Sequence, residues 1–198
     1  MKAVIKTDPK PGIDVKEVDK PKIKPDEVLV EVKAVGICGT DVHVYEWVPG
    51  FEWLAKWLPV ILGHEFSGRV IKVGEGVKVD VKEGDRVTSE FFAMACRRCF
   101  FCRSGRENLC PQERNSRLGL ERNGAMAEYI AVPAEITHKV PNNVSYEEAA
   151  LAEPTGVALH AVESAHITLG DLVAIICPGP IGLFAFQAHQ SSLEHHPR

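Results

Sequence analysis

The sequence predicts a mainly β fold with some α, a barrel or sandwich of short strands that gives way near the C-terminus to the start of a strand–turn–helix unit. Three observations carry this expectation. Short β-prone runs separated by Gly and Pro turns fill the first half of the chain. From Ser145 the apolar period becomes helical. Further on, the compact apolar run DLVAIIC is followed by PGPIG and then by the helical pattern LFAFQAHQ.

Taken in order, MKAVIKT opens the β part, and EVLVEVKAVGI alternates as a half-buried strand does. EFSGRVIKVG, DRVTSEF and AEYIAVPA follow as further strands. Between them VYEWVPGFEWLAKWLP gathers Trp47, Phe51, Trp53 and Trp57, and reads equally as a substrate-side loop or as packing. SYEEAALAEPTGVALHAVESA begins with a Ser-x-x-Glu capping box, Ser145 with Glu148, and its helical spacing is interrupted at Pro154. DLVAIIC suits a buried parallel strand. No repeat or low-complexity segment is visible.

The chain has 198 residues, 45% hydrophobic and 25% charged, the composition of an ordinary globular protein. With 23 basic and 27 acidic residues its net charge is -4, which argues against a general nucleic-acid or anionic-membrane binder. No secretory leader pattern opens it, and no run of about 18 apolar residues occurs. A soluble, cytoplasmic protein is expected. In that reducing compartment clustered cysteines point to metal or redox chemistry before disulfides.

Four of the six cysteines stand in CRRCFFCRSGRENLC, as Cys96, Cys99, Cys102 and Cys110. The two-residue gaps let thiolates wrap a tetrahedral zinc ion, with Gly105 available for the reversal before Cys110. Four thiolates leave no open position, so such a site is structural. An iron–sulfur cluster also takes four cysteines, but the last gap fits that pattern poorly. Free thiols are the blander alternative. Arg97, Arg98, Arg103 and Arg106 beside the cluster read as solvated charges on an exposed lobe more readily than as a nucleic-acid contact.

Other metal- or proton-binding groups are scattered: Cys38, Thr40 and His43 in AVGICGTDVHVY, His64 and Glu65 in ILGHEFSGRVIKVG, and Glu153 in LAEPTGVALHAV. Each alone has an ordinary structural explanation. In this order, together with the cysteine lobe, Glu-Pro and the Gly-Pro-Ile-Gly turn, they resemble the zinc-dependent medium-chain alcohol dehydrogenases over nearly the whole chain. Glu-Pro makes the resemblance closest to the polyol and threonine dehydrogenase branch.

That resemblance implies a GroES-like, partly open β-barrel catalytic domain with a zinc lobe over residues 1–153. The first strand and helix of a Rossmann domain would occupy 154–190, and a non-native tail 191–198. It implies that Cys38 and His64 bind a catalytic zinc, with Glu65 adjacent and Glu153 in the third-ligand position. Thr40 would pass the alcohol proton outward and His43 would relay it. Cys96, Cys99, Cys102 and Cys110 would hold the structural zinc. Asp41 is open to two readings, orienting its segment or serving as an ordinary structural carboxylate.

Hydride transfer calls for NAD or NADP, and Gly179, Pro180, Ile181 and Gly182 stand where the cofactor-binding turn belongs. Cys177 occupies the first glycine position of that fingerprint. Few residues follow Gly182, so the chain is expected to lack most of the nucleotide domain and to be inactive alone, with Leu172, Ile175, Ile176, Phe184 and Phe186 left exposed. The implied reaction is oxidation of a secondary alcohol or polyol, of sorbitol or threonine type, in a homo-oligomer. The alternative is a non-enzymatic zinc-binding or interaction module.

Overall fold

The five β-prone runs all form strands, and three further short strands bring the number to eight among the described residues of the computed structural model, which are 1–93, 95–111, 116–168, 170–176 and 178–194. The chain divides into two compact units, Met1–Ala150 and Leu151–Arg198. Cys177 and residues 195–198 of the expected tail lie outside the described residues.

In the first unit β1 (Lys2–Lys6) pairs antiparallel with β2 (Asp14–Glu17) on one side and β4 (Val60–Ile61) on the other. The second sheet has the order β7 (Tyr129–Pro133), β3 (Glu27–Val35), β5 (Phe66–Val73), β6 (Arg86–Ser89), β8 (Thr137–Lys139), and every neighbouring pair is antiparallel. β3 lies between β5 and β7 and is buried on both faces at its start, Glu27 to Val30. Val28, Val30, Phe66, Val70, Val87 and Val132 form the main core, and each such side chain contributes about 1.5–3 kcal/mol by leaving water.

The buried acid at the head of β3 is explained by its partners. Glu27 accepts from Arg122 Nη2 at 2.6 Å and from the backbone N–H of Lys24 at 3.0 Å. Arg86 on β6 donates to the carbonyls of Pro141, Asn142 and Val144 and lies over the Tyr146 ring, anchoring the segment that leads to α3 (Tyr146–Ala150). The capping box forms as the sequence predicts: the Ser145 N–H donates to Glu148, and the Glu148 N–H donates to the Ser145 hydroxyl.

A second core lies under α1 (Gly39–Glu46) and contains Val44, Leu54, Val60, Leu62 and Leu120. Trp47, Phe51, Trp53 and Trp57 are partly buried and pack against it, as the packing reading of the aromatic segment expects; its residues Glu52–Trp57 form a 3-10 turn. Lys6, fully buried on β1, donates to the carbonyls of Lys10, Gly12 and Tyr45, which joins the loop after β1 to the C-terminal end of α1.

Two expectations need correction in the second unit. The helical stretch breaks at Leu151, between α3 and α4 (Ala152–Ser164), and Pro154 sits inside the first turn of α4. A proline is tolerated there because first-turn N–H groups have no intrahelical acceptor to lose. The second correction concerns DLVAIIC: its described residues, 171–176, form no strand. A strand exists only as a paired element, and the described residues of this unit offer no other strand, only α4 packed with α5 (Pro180–Glu194). Leu172 and Ile176 are accordingly exposed, as are Ile175 and Phe186, while Phe184 is half-buried.

Candidate metal centre

Cys38 is the N-cap of α1, with extended backbone and a sulfur that accepts from the Thr40 N–H at 3.4 Å. Asp41 completes a capping box by taking the Cys38 N–H on Oδ2 at 2.9 Å. Its other oxygen, Oδ1, takes the N–H of Gly63 at 3.3 Å. One buried carboxylate therefore joins the residue that carries the thiol to the residue preceding His64.

Close backbone packing fixes the His64 side. Residues 61–63 are flanked by 124–126 through hydrogen bonds from Gly124 to Ile61, Met126 to Leu62 and Ala125 to Gly63. The approach at Gly124 is so tight that a Cβ there would lie 2.1 Å from the Gly63 carbonyl oxygen. Gly63 itself has φ +88°, a conformation that glycine adopts without strain. Behind Glu65, a Cβ on Gly36 would fall 2.3 Å from the carboxylate, so glycine is what leaves room for it.

The result is convergence. Cys38, His64 and Glu65 each bring a donor atom within 4.8 Å of the others, with His64 and Glu65 buried and Cys38 half-buried. His64 Nδ1 is buried without a hydrogen-bond partner. A buried ring nitrogen normally has one. Sulfur, imidazole and carboxylate are donors that zinc accepts, so the residues present fit that ion.

Electrostatics agree. Burial pushes the Cys38 thiol up, against the Thr40 hydrogen bonds, and Glu65 and Asp41 repel its charge further. Burial also raises Glu65 and Asp41 and pulls His64 down, with the Asp41–His64 attraction opposing both of the last two. A cluster in which burial disfavours the charged forms is one that a divalent cation would relieve. Phe91 closes one side, its ring centroid 4.6 Å from that of His64.

Thr40 is half-buried in the first turn of α1, next to Cys38, and His43 lies three residues on, exposed, with its ring edge against Phe51. Glu153 belongs to the first turn of α4, in the second unit. Gly179 precedes α5, with no atom within 4 Å of where its Cβ would be, and Pro180, Ile181 and Gly182 form the helix start. That gives a helix N-terminus without the strand that precedes it in a dinucleotide cradle, so the described residues supply one piece of such a site.

The cysteine lobe is a second cluster. Cys96, Cys99, Cys102 and Cys110 bring their sulfurs within 4.8 Å of one another. Cys99 caps the short α2 (Phe100–Arg103), and Gly105 makes the reversal at φ +70°. Sulfurs accept backbone N–H groups: Cys110 from Cys96 at 3.3 Å, Cys96 from Cys99 at 3.3 Å and Cys99 from Cys102 at 3.5 Å. Donation from the N–H groups of Arg98 and Cys99 lowers Cys96 to about 6, whereas burial lifts Cys102 to about 12. Four crowded soft donors of this kind fit a closed structural zinc site.

Two residues of the centre, Asp41 and Phe91, gain their roles only in the folded chain. Asp41 stands at the capping-box distance from Cys38, a pattern usually sought with Ser or Thr in first place. Phe91 has no local signal, because its contact with His64 arises only on folding.

Residues 24–142 match the alcohol dehydrogenase GroES-like domain. The chain is 41% identical over 172 residues to D-arabitol-phosphate dehydrogenase of Enterococcus avium, covering 86% of this chain and 47% of that protein. It is also 41% identical over 194 residues to L-threonine 3-dehydrogenase of Bacillus licheniformis, covering 97% and 54%. The crystal structure of galactitol-1-phosphate dehydrogenase from Escherichia coli superposes with a TM-score of 0.84 at 34% identity, covering 96% of this chain and 53% of that one. The chain thus spans about half the length of the curated relatives it matches.

Proposed function

The chain belongs to the zinc-type medium-chain alcohol dehydrogenase family, and from that premise we propose that it is the metal-holding catalytic portion of an NAD(P)-dependent dehydrogenase oxidising a secondary alcohol of polyol or threonine type. The observation that carries this reading is the convergence of donor atoms from Cys38, His64 and Glu65, in a site where His64 Nδ1 is also buried without a partner.

In this reading Cys38 and His64 would hold zinc, with Glu65 beside them and Glu153 as the further ligand. Bound zinc supplies a Lewis acid that makes the substrate hydroxyl easier to deprotonate. The rest is the work of the chain. Asp41 holds the thiol-bearing turn and the His64 segment in register through its two backbone contacts. Thr40, beside Cys38, has a hydroxyl that can accept the alcohol proton and donate its own, and the exposed imidazole of His43 passes it to water. Phe91 packs on the His64 ring and fixes its plane. Gly179 to Gly182 are the residues we assign to the dinucleotide phosphates, at the start of α5.

Cobalt substitution tests the reading. Cobalt(II) bound through Cys38 and His64 gives visible absorption that depends on its ligands. Addition of a pentitol should shift those bands in the wild-type chain, and Cys38→Ala should remove them while the lobe's thiolate bands persist. Bands indifferent to any alcohol would sink the proposal.

A further inference from the structure

We propose that the groove between the turn Glu52–Trp57 and the cysteine lobe is a subsite for a phosphate monoester at the far end of the substrate, with Lys56 and Arg117 as its cationic wall. This rests on the alcohol-oxidation reading above and specifies the substrate class of the same site. The groove has a volume of about 1040 Å³ and is walled by Trp53, Lys56, Phe92, Phe101, Leu109 and Arg117.

Its position follows from ring contacts. Phe91 touches the His64 ring at 4.6 Å between centroids, and Phe92, at 4.8 Å from Phe91, lines the groove. This pair of rings links the metal centre to the groove. A chain of a few hydroxylated carbons, with its reacting hydroxyl at the metal centre, extends past Phe91 and Phe92 into the groove.

Its charge follows from how the ionic groups are held. Glu121 is buried and takes Nε of Arg117 at 3.2 Å and Nη2 at 2.7 Å, besides the backbone N–H groups of Ser116 and Arg117. That carboxylate is committed to its own loop. It also holds the Arg117 guanidinium over Trp53, its Cζ 4.4 Å from the ring centroid. Lys56 is exposed, extends over the Trp57 ring, and has no carboxylate within ion-pair distance among the described residues. Among the described residues, two cations against one committed carboxylate leave the wall positive, which suits a group carrying about -1.5 to -2 charges. The aromatic floor suits the carbon chain that precedes it.

Tryptophan emission reports on this wall through Trp53, which lines the groove, and through Trp57, which lies under Lys56. The zinc-loaded chain is titrated at low salt with ribitol, ribitol 5-phosphate and inorganic phosphate while tryptophan emission is followed. The ester should bind about tenfold or more tightly than ribitol, added NaCl should shrink that ratio, and Lys56→Gln should bring it close to one. Equal binding of ester and ribitol, or a ratio that survives Lys56→Gln, overturns the proposal. Phosphate binding that depends on Lys56, without any binding of ribitol, upholds the groove and locates the failure in the alcohol reading. Zinc-dependent ribitol binding with no preference for the ester leaves the alcohol reading standing and removes the subsite.

Discussion

Gly63 donates its backbone N–H to Asp41 across 22 residues of sequence, and the same carboxylate accepts the N–H of Cys38. The buried acid is therefore the joint between the two segments that bring thiol and imidazole together. Asp41→Ala removes both acceptors and should weaken metal binding at the Cys38–His64 centre by about 10–100-fold, the range for loss of an outer partner of a metal site. Asp41→Asn keeps one acceptor oxygen and should fall between. Chelator competition with cobalt measures the affinity, and the lobe's own absorption serves as the internal control for folding.

Gly124→Ala should be among the most damaging conservative changes in the chain. The new Cβ would fall 2.1 Å from the Gly63 carbonyl oxygen and 2.5 Å from that of Leu62, so backbone has to move. Overpacking of this kind costs about 1–3 kcal/mol or more, and here the displaced segment leads directly to His64. Urea unfolding should show the loss, with metal content at the Cys38 centre reduced in parallel. Unchanged stability would mean that the approach of residues 61–63 to Gly124 is looser than described.

Metal uptake at the same centre should rise with pH. Burial holds the Cys38 thiol protonated at neutral pH, so the ion must displace its proton, whereas burial keeps His64 below its ordinary value and already neutral. One displaced proton gives about a tenfold gain in apparent affinity per pH unit between roughly pH 7 and 8.5. Competition with a chelator of known protonation behaviour measures the slope. A flat profile would contradict the assignment of the thiol as ligand.

How much of this is legible before folding depends on where each signal resides. β3 is readable because alternation and β-branching are local properties of its own residues, and the lobe because four soft donors stand close together in sequence. The meeting of Cys38 with His64 and Glu65 depends on α1, β5 and the glycine contacts around residues 61–63 and 124, so only a family resemblance points to it. DLVAIIC fails in the opposite sense. Its composition suits a strand, but a strand is a relation between two segments, and composition describes one.

Glu121→Gln should make the chain less sensitive to acid. Burial opposes ionisation of Glu121, yet the Arg117 hydrogen bonds and the N–H groups around it pull its carboxyl below the ordinary range. A depressed folded-state value means stability that is fully present above the unfolded value and lost as pH falls through the folded one. At pH 7 the wild type should exceed the variant by about 1–3 kcal/mol, the cost of weakening hydrogen bonds to a charged acceptor. The difference should close below about pH 4, and denaturant titrations at both pH values decide it.

The pair at the head of β3 allows a sharper test, because a single substitution and a double one point in different directions. Arg122→Met strands the Glu27 carboxylate, which is 3% exposed, and leaves it the Lys24 N–H at 3.0 Å and a Lys24 ammonium only at 3.9 Å. Breaking a buried pair from one side costs about 3–5 kcal/mol. Adding Glu27→Gln removes the stranded charge but keeps a carbonyl oxygen for the Lys24 N–H, so the double variant should recover much of that loss. Urea unfolding of the two variants decides whether Arg122 matters as a counter-charge. A double variant no more stable than Arg122→Met would show that the arginine acts through its packing between β3 and the loop before β7.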